Sequence, residues 1–247
     1  MRQARIVLEG SEVDAVIEGE DVIARDGRRV SLDAARFAPP CLPTKVVCVG
    51  LNYRDHAAEM GVEIPKDALL FLKPPSAVIA HDAPIPYPSH TQQLEYEAEL
   101  AVVIGRAARN VPRARAVEHI WGYTAFNDVT ARDAQKVESQ WVRAKAFDAS
   151  APLGPWIVTD FDPTGRDVIA RVNGQERQHG NTRDLIFDIP TIIEIISSIM
   201  TLERGDVIAT GTPKGVGPVI PGDVVEIEIG GIGVLRNRIA ARVTGRA

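Results

Sequence analysis

Apolar and polar residues alternate through the start of the chain, at Ile6-Val7-Leu8, Val13 to Ile17 and Val22 to Ala24. Alternation of this kind marks strands with one buried face. Asp26-Gly27 is a hairpin turn signal, so residues 1–37 read as a small antiparallel β-unit. The run Ala38-Pro39-Pro40-Cys41-Leu42-Pro43 follows. Proline fixes φ and has no N–H to give a sheet, so residues 38–44 read as a stiff linker. A larger domain, 45–247, then opens with a buried strand at Lys45 to Val49.

Asn52 to Met60 has helical composition and ends at Gly61, a C-cap residue. The proline-rich stretch from Pro65 to Pro88 must be extended or looped. Leu94 to Ile104 reads as one long strand, Arg113 to Ile120 as a short helix and Tyr123 to Phe126 as another strand. Thr130 reads as a helix start, with Asp133 completing a capping-box analogue. Thr191 to Leu202 is the clearest amphipathic helix. Strands follow at Asp206 to Ala209, Val224 to Ile229 and Ile239 to Val243. Strands outnumber helices and do not alternate with them. The fold class is therefore α+β, predominantly β, with a roll or barrel-like architecture rather than a doubly wound sheet.

Composition narrows the function classes. The 247 residues carry 28 basic and 33 acidic side chains, a net charge of −5. No apolar run approaches the roughly 18 residues that span a bilayer, and MRQARIVLEG lacks a signal peptide's apolar stretch. Without a Lys/Arg cluster, and with 5% aromatics, a nucleic-acid binder is not expected. Cys41 and Cys48 match no metal or redox spacing and read as core thiols of a cytoplasmic protein.

Five segments could carry chemistry. In LEYEAELAVVI, Glu95, Glu97 and Glu99 share one strand face. On pattern alone that face reads as solvated polar surface, but it runs on into Ala101 and Val103. Carboxylates in apolar surroundings need a cation, and hard oxygen ligands suit Mg²⁺ or Mn²⁺. Asp128 is either a turn residue or a third carboxylate for that cation. Arg132 and Gln135 share a helix face. His56 and Glu59, also three apart, form either a surface pair or an imidazole oriented as a base. Lys145, among Ala, Phe and Trp, either lays its stem on apolar surface or faces developing negative charge. ATGTPKGVG is a glycine loop that could cradle a carboxylate. His81, His90, His119 and His179 have no comparable neighbourhood.

Together these segments resemble the fumarylacetoacetate hydrolase family from about Lys45 to Arg238. The resemblance is carried by VCVGLNYRDHAAEMG, LFLKPPSA, YEAELAVVIG, FNDVTARDAQ, RAKAFDASAPLGPW, VNGQERQHGNT, DVIATGTPKGVGP and GIGVLRNR. It implies a mixed β-roll or β-barrel domain, usually dimeric. It also implies Glu97, Glu99 and Asp128 as ligands for Mg²⁺, with Mn²⁺ an alternative. His56 and Glu59 match the catalytic pair of the shorter members, and Lys145 the lysine near the metal. Lys73, Arg132, Gln135 and Thr212 match positions around the substrate. Glu95 falls where many relatives carry Asp and is not an expected ligand.

The implied chemistry is enolate formation at C2–C3 of a 2-oxo acid, with the metal as Lewis acid. Hydrolysis of C3–C4 in an acylpyruvate ranks first, because His56 and Glu59 can activate water. Oxaloacetate-type decarboxylation and isomerisation of a hydroxymuconate-type dienoate follow. A metabolite-binding protein that kept the fold is the reading from another class. The helix bearing His56 is expected to close over substrate as a lid.

Overall fold

The computed structural model describes residues 1–242. Val243, the end of the last expected strand, and the tail of the 45–247 domain lie outside them. The N-terminal segment forms β1 (Arg2–Leu8), β2 (Ser11–Glu18), β3 (Asp21–Ala24), β4 (Arg29–Ser31) and β5 (Phe37–Ala38). The first four make an antiparallel meander, and β5 returns to pair with β1. Ala4, Ile6, Ala15, Ile17, Val22 and Ala24 bury their side chains in its own small core.

After the prolines come β6 (Val46–Gly50), α1 (Arg54–Glu59), β7 (Leu69–Lys73), β8 (Val78–Ile79) and β9 (Ile85–Tyr87). Next are β10 (Leu94–Tyr96), β11 (Ala98–Ile104), β12 (Ile120–Asn127), β13 (Thr130–Ala131), α2 (Arg132–Val137) and α3 (Val142–Lys145). The chain continues through β14 (Ala151–Val158), β15 (Asp167–Val172), β16 (Gln175–Asn181) and α4 (Ile189–Ile199). It ends with β17 (Val207–Ala209), β18 (Gly217–Val219), β19 (Val224–Ile229) and β20 (Gly233–Arg242).

The strands form three sheets, and none closes into a barrel. The largest runs β4-β3-β2-β1-β14-β12-β11-β17-β6-β7, so the N-terminal meander extends the main sheet through β1 and β14. A second sheet runs β16-β15-β19-β20-β9, and a small third runs β13-β10-β18. At the centre, β11 is buried on both faces. Leu100, Val102 and Ile104 pack with Ile227, Ile229 and Leu235 of the second sheet and with Ile192, Ile193 and Ile196 of α4. Ala101 and Val103 face a separate cluster with Cys48, Phe126 and Val207. Each fully buried Leu or Ile contributes about 1.5–3 kcal/mol, so the strand that carries Glu99 is firmly held.

Three expected elements differ in detail. The strand Leu94–Ile104 breaks at Glu97. Its N–H donates to Asn127 Oδ1 at 3.0 Å, and its carbonyl accepts from the Asp128 N–H at 3.0 Å. The break sends β10 into the small sheet and β11 into the large one. Thr130 starts a strand, not a helix: Thr130 and Ala131 pair with Glu95 and Leu94, and α2 begins at Arg132. Asp133 makes no capping box with Thr130; its carboxylate accepts from the Thr91 hydroxyl and the Gln92 N–H. The helix α4 starts ahead of Thr191 because Asp188 caps it, accepting the Thr191 N–H at 2.9 Å. The hairpin β15–β16 escaped the pattern reading because its second strand, QERQHGN, is polar. Its turn is a strong signal all the same: Asn173 and Gly174 both have positive φ, 51° and 76°.

Candidate active site

A cleft of about 420 Å³ opens where the strand break, α1, α2 and α3 converge. Its floor is acidic. Glu97, Glu99 and Asp128 are all buried, and one oxygen from each lies within 4.8 Å of the others. The backbone explains the convergence. The break at Glu97 hydrogen-bonds to the β12 end, which presents Asp128 beside the start of β11.

Buried carboxylates this close repel one another unless cations lie between them. Here a line of alternating charge does so. Lys73 Nζ lies 2.7 Å from Asp128 Oδ1. Lys145 Nζ donates to Asp128 Oδ2 at 2.7 Å, to Glu97 Oε2 at 2.9 Å and to the Thr130 hydroxyl at 2.6 Å. Arg132 then bridges Glu97 Oε1 at 2.5 Å and Glu95 Oε2 at 2.6 Å. It also donates to Gln135. Burial alone would raise Glu97, but Lys145 and Arg132 hold its carboxyl well below the usual range. Burial opposes the Lys145 charge too, yet Asp128 and Glu97 push its pKa up.

Glu99 stands apart. Among the described residues it has no cationic partner, and it accepts only the Gly211 N–H, at 2.7 Å. Burial first, then Asp128 and Glu97, push its pKa well up. Gly211 is required there: at φ 99° a Cβ would meet the Asn52 Cβ at 2.8 Å. One under-neutralised carboxylate beside two others, all oxygen donors, is what a hard divalent cation would relieve. The residues present therefore fit a hard divalent cation, which Glu97, Glu99 and Asp128 could hold.

On the opposite wall, α1 places buried His56 in the cleft. His56 Nδ1 lies 3.1 Å from Glu59 Oε2, and Glu59 also accepts the Gly215 N–H at 3.1 Å. Thr212 donates to the Ala98 carbonyl at 2.9 Å and accepts from Gln178 Nε2 at 2.8 Å. Phe71, Trp141 and Val216 supply apolar walls.

The profile described as fumarylacetoacetate (FAA) hydrolase C-terminal matches residues 45–240. The chain belongs to the fumarylacetoacetate hydrolase family. It is 45% identical over 216 residues to the oxaloacetate tautomerase YisK of Bacillus subtilis, covering 82% of this chain and 72% of that one. The solved structure of 5-carboxymethyl-2-hydroxymuconate delta-isomerase from Mycobacterium smegmatis superposes with a TM-score of 0.92 at 45% identity. That match covers 99% of this chain and 100% of the other. Maleylpyruvate hydrolase from Sphingobium sp. SYK-6, solved with manganese(II) and pyruvate, gives 0.85 at 29% identity, covering 98% and 100%.

As a fumarylacetoacetate hydrolase family enzyme, the chain brings most of the sequence-selected residues together. His56, Glu97, Glu99 and Asp128 line the cleft, as do Lys145 and Thr212. Arg132 and Gln135 line it from α2. Two do not. Lys73 is fully buried behind Asp128, donating to the Val129 and Ser150 carbonyls at 3.1 and 2.7 Å, so it faces the protein and not the space for substrate. Glu59 lies outside, behind His56, in an adjoining hollow with Arg177 and Lys214. Sequence reasoning gave Glu95 no role, yet it lines the cleft and anchors Arg132. Its place in the Glu95-Glu97-Glu99 series was the available signal. Thr130 and Gln178 carried none, because their importance depends on partners distant in sequence.

Proposed function

We propose that this chain is a divalent-metal-dependent enzyme that takes a short 2-oxo acid through an enolate. The observation that carries the reading is the buried triad Glu97, Glu99 and Asp128 sharing one cleft with His56. A cation held by the triad, Mg²⁺ or Mn²⁺, would supply Lewis-acid stabilisation of enolate charge. Lys145 places fixed positive charge at the cleft floor, where water is excluded and charge counts most. Arg132, Gln135 and Thr212 line the space and orient the acid. Glu59 on Nδ1 of His56 leaves Nε2 free to exchange a proton at C3. Keto–enol proton transfer is the reaction this arrangement supports best. The tautomerase and isomerase relatives, each 45% identical, are named for proton movements.

A second reading is favoured by the His56–Glu59 hydrogen bond itself. The same pair can activate water against a C4 carbonyl and cleave C3–C4 of an acylpyruvate. One experiment separates the two. Oxaloacetate and acetylpyruvate are each followed by NMR with Mg²⁺ and with EDTA. Metal-dependent equilibration of oxaloacetate tautomers supports the first reading; acetate and pyruvate from acetylpyruvate support the second. A sample that binds Mg²⁺ and changes neither compound overturns both.

The assembly is proposed to be a homodimer. The strand β7 is an outer edge of the main sheet and exposes Leu69 and Leu72, which suits a second copy. The reading places the enzyme in the cytoplasm, in keeping with two free buried thiols, Cys41 and Cys48. No helix among the described residues is long and apolar enough to cross a membrane.

A further inference from the structure

The charge line of the cleft continues outward to the rim. Glu95 Oε1, the oxygen not used by Arg132, accepts from Gln93 Nε2 at 2.7 Å. Gln93 Oε1 in turn accepts from Lys136 Nζ at 3.3 Å. Lys136 sits on α2 one residue beyond Gln135. It lines the same cleft and is exposed.

Its electrostatic position differs from that of the other lysine and arginine side chains lining the cleft. Arg132 is spent on Glu95 and Glu97, and Lys145 on Glu97 and Asp128. Lys136 alone of these has no carboxylate partner among the described residues. Its one hydrogen bond, to a neutral amide, is long. A 2-oxo acid whose head group lies toward Glu97, Glu99 and Asp128 would extend its tail away from the closed floor and toward this rim. Among the lysine and arginine side chains that line the cleft, the charge not already spent on a carboxylate of the described residues is the Lys136 ammonium.

We propose that Lys136 is a specificity-determining residue that binds a second carboxylate, so that the enzyme prefers 2-oxo dicarboxylates to 2-oxo acids with neutral tails. The inference rests on the 2-oxo acid reading above and deepens it. Gln93 positions the ammonium but leaves its remaining protons free, and an ammonium offers three. Discrimination follows because a neutral tail gains nothing from the lysine. The lysine is exposed, so the preference is modest and salt-sensitive.

The test uses two acids of equal chain length, 2-oxoglutarate and 2-oxopentanoate, which differ only in a terminal carboxylate against a methyl. Their dissociation constants are measured by calorimetry on the full chain with Mg²⁺, for the parent, Lys136→Ala, Lys136→Arg and Lys136→Glu. The parent is expected to prefer 2-oxoglutarate by about five- to tenfold. Lys136→Ala should bring that ratio near one through 2-oxoglutarate alone, Lys136→Arg should keep it, and Lys136→Glu should invert it. High salt should erode the parent's ratio. A parent ratio near one overturns the inference, as does an unchanged ratio in Lys136→Ala or equal weakening of both acids. A parent that binds neither acid overturns the 2-oxo acid reading itself, and this inference with it.

Discussion

Lys73 Nζ and Asp128 Oδ1 stand 2.7 Å apart in an ion pair that is fully buried on both sides. The lysine reaches Asp128 from behind and ties β7 to the Val129 and Ser150 carbonyls, next to the carriers of Asp128 and Lys145. Burial pulls the ammonium pKa down, and the neighbouring Asp128 carboxylate opposes that pull.

Lys73→Met removes this support without opening the cleft. Groups that orient metal ligands typically change metal affinity about 10- to 100-fold when lost. A loss of that size in Mn²⁺ affinity, read by electron paramagnetic resonance, is expected, with partial recovery in Lys73→Arg. Thermal unfolding should show a loss of about 3–5 kcal/mol, because Asp128 loses a buried partner.

Glu99→Gln separates metal binding from stability. The glutamate is buried beside two like charges with only the Gly211 N–H to offset them. The neutral amide keeps an oxygen for that N–H. The metal-free variant should therefore be at least as stable as the parent in denaturant titration, while its Mn²⁺ affinity falls by more than about tenfold.

The two glutamates have opposite pH signatures. Glu99 has a raised folded pKa, so the native state holds its proton more tightly than the unfolded state does. Its contribution is present below the unfolded value and is lost as pH rises through the folded one. Glu97 is held low, so its contribution is present above the unfolded value of 4.5 and is lost as pH falls through the folded one. Metal-free protein should thus lose stability both on acidification and on rising through the Glu99 titration. Saturating Mg²⁺ should remove the second loss, as chemical denaturation across pH will show.

His56→Asn and Glu59→Gln should lower kcat by about 10²–10⁴ and about tenfold respectively. Neither residue is among the three carboxylates of the floor, so Mn²⁺ affinity should stay within about twofold of the parent. A matched fall in metal affinity would place α1 in the metal site instead.

Mg²⁺ at about one hundred times its dissociation constant stabilises a protein by about 2.7 kcal/mol. For a chain of this size that raises Tm by roughly 5–10 °C. Differential scanning fluorimetry should show the shift in the parent. It should be absent with EDTA and in a Glu97→Gln, Glu99→Gln double variant.

Much of this was legible along the chain. Alternation marked the N-terminal strands, Gly61 the end of α1, and the spacing of Glu95, Glu97 and Glu99 a shared face. Local signals suffice where neighbours in sequence are the physical cause. They failed at Thr130, where pairing with Glu95 overrode a helix start, and at the polar strand β16. The family resemblance set Lys73 around the substrate, whereas its surroundings, fixed by strands far away in sequence, put it behind Asp128.

By itself, the sequence determined that the chain carries a carboxylate set, a His–Glu pair and a lysine on a mostly β frame. Periodicity and composition are properties of the chain alone. Only the tertiary structure decided which charges neutralise which. It put Lys73 under Asp128, spread Lys145 and Arg132 along the floor, and left Glu99 without a cation and Lys136 without an anion among the described residues. Charge pairing falls off within a few ångströms in space, and the break at Glu97 brings these groups together across more than seventy residues of chain.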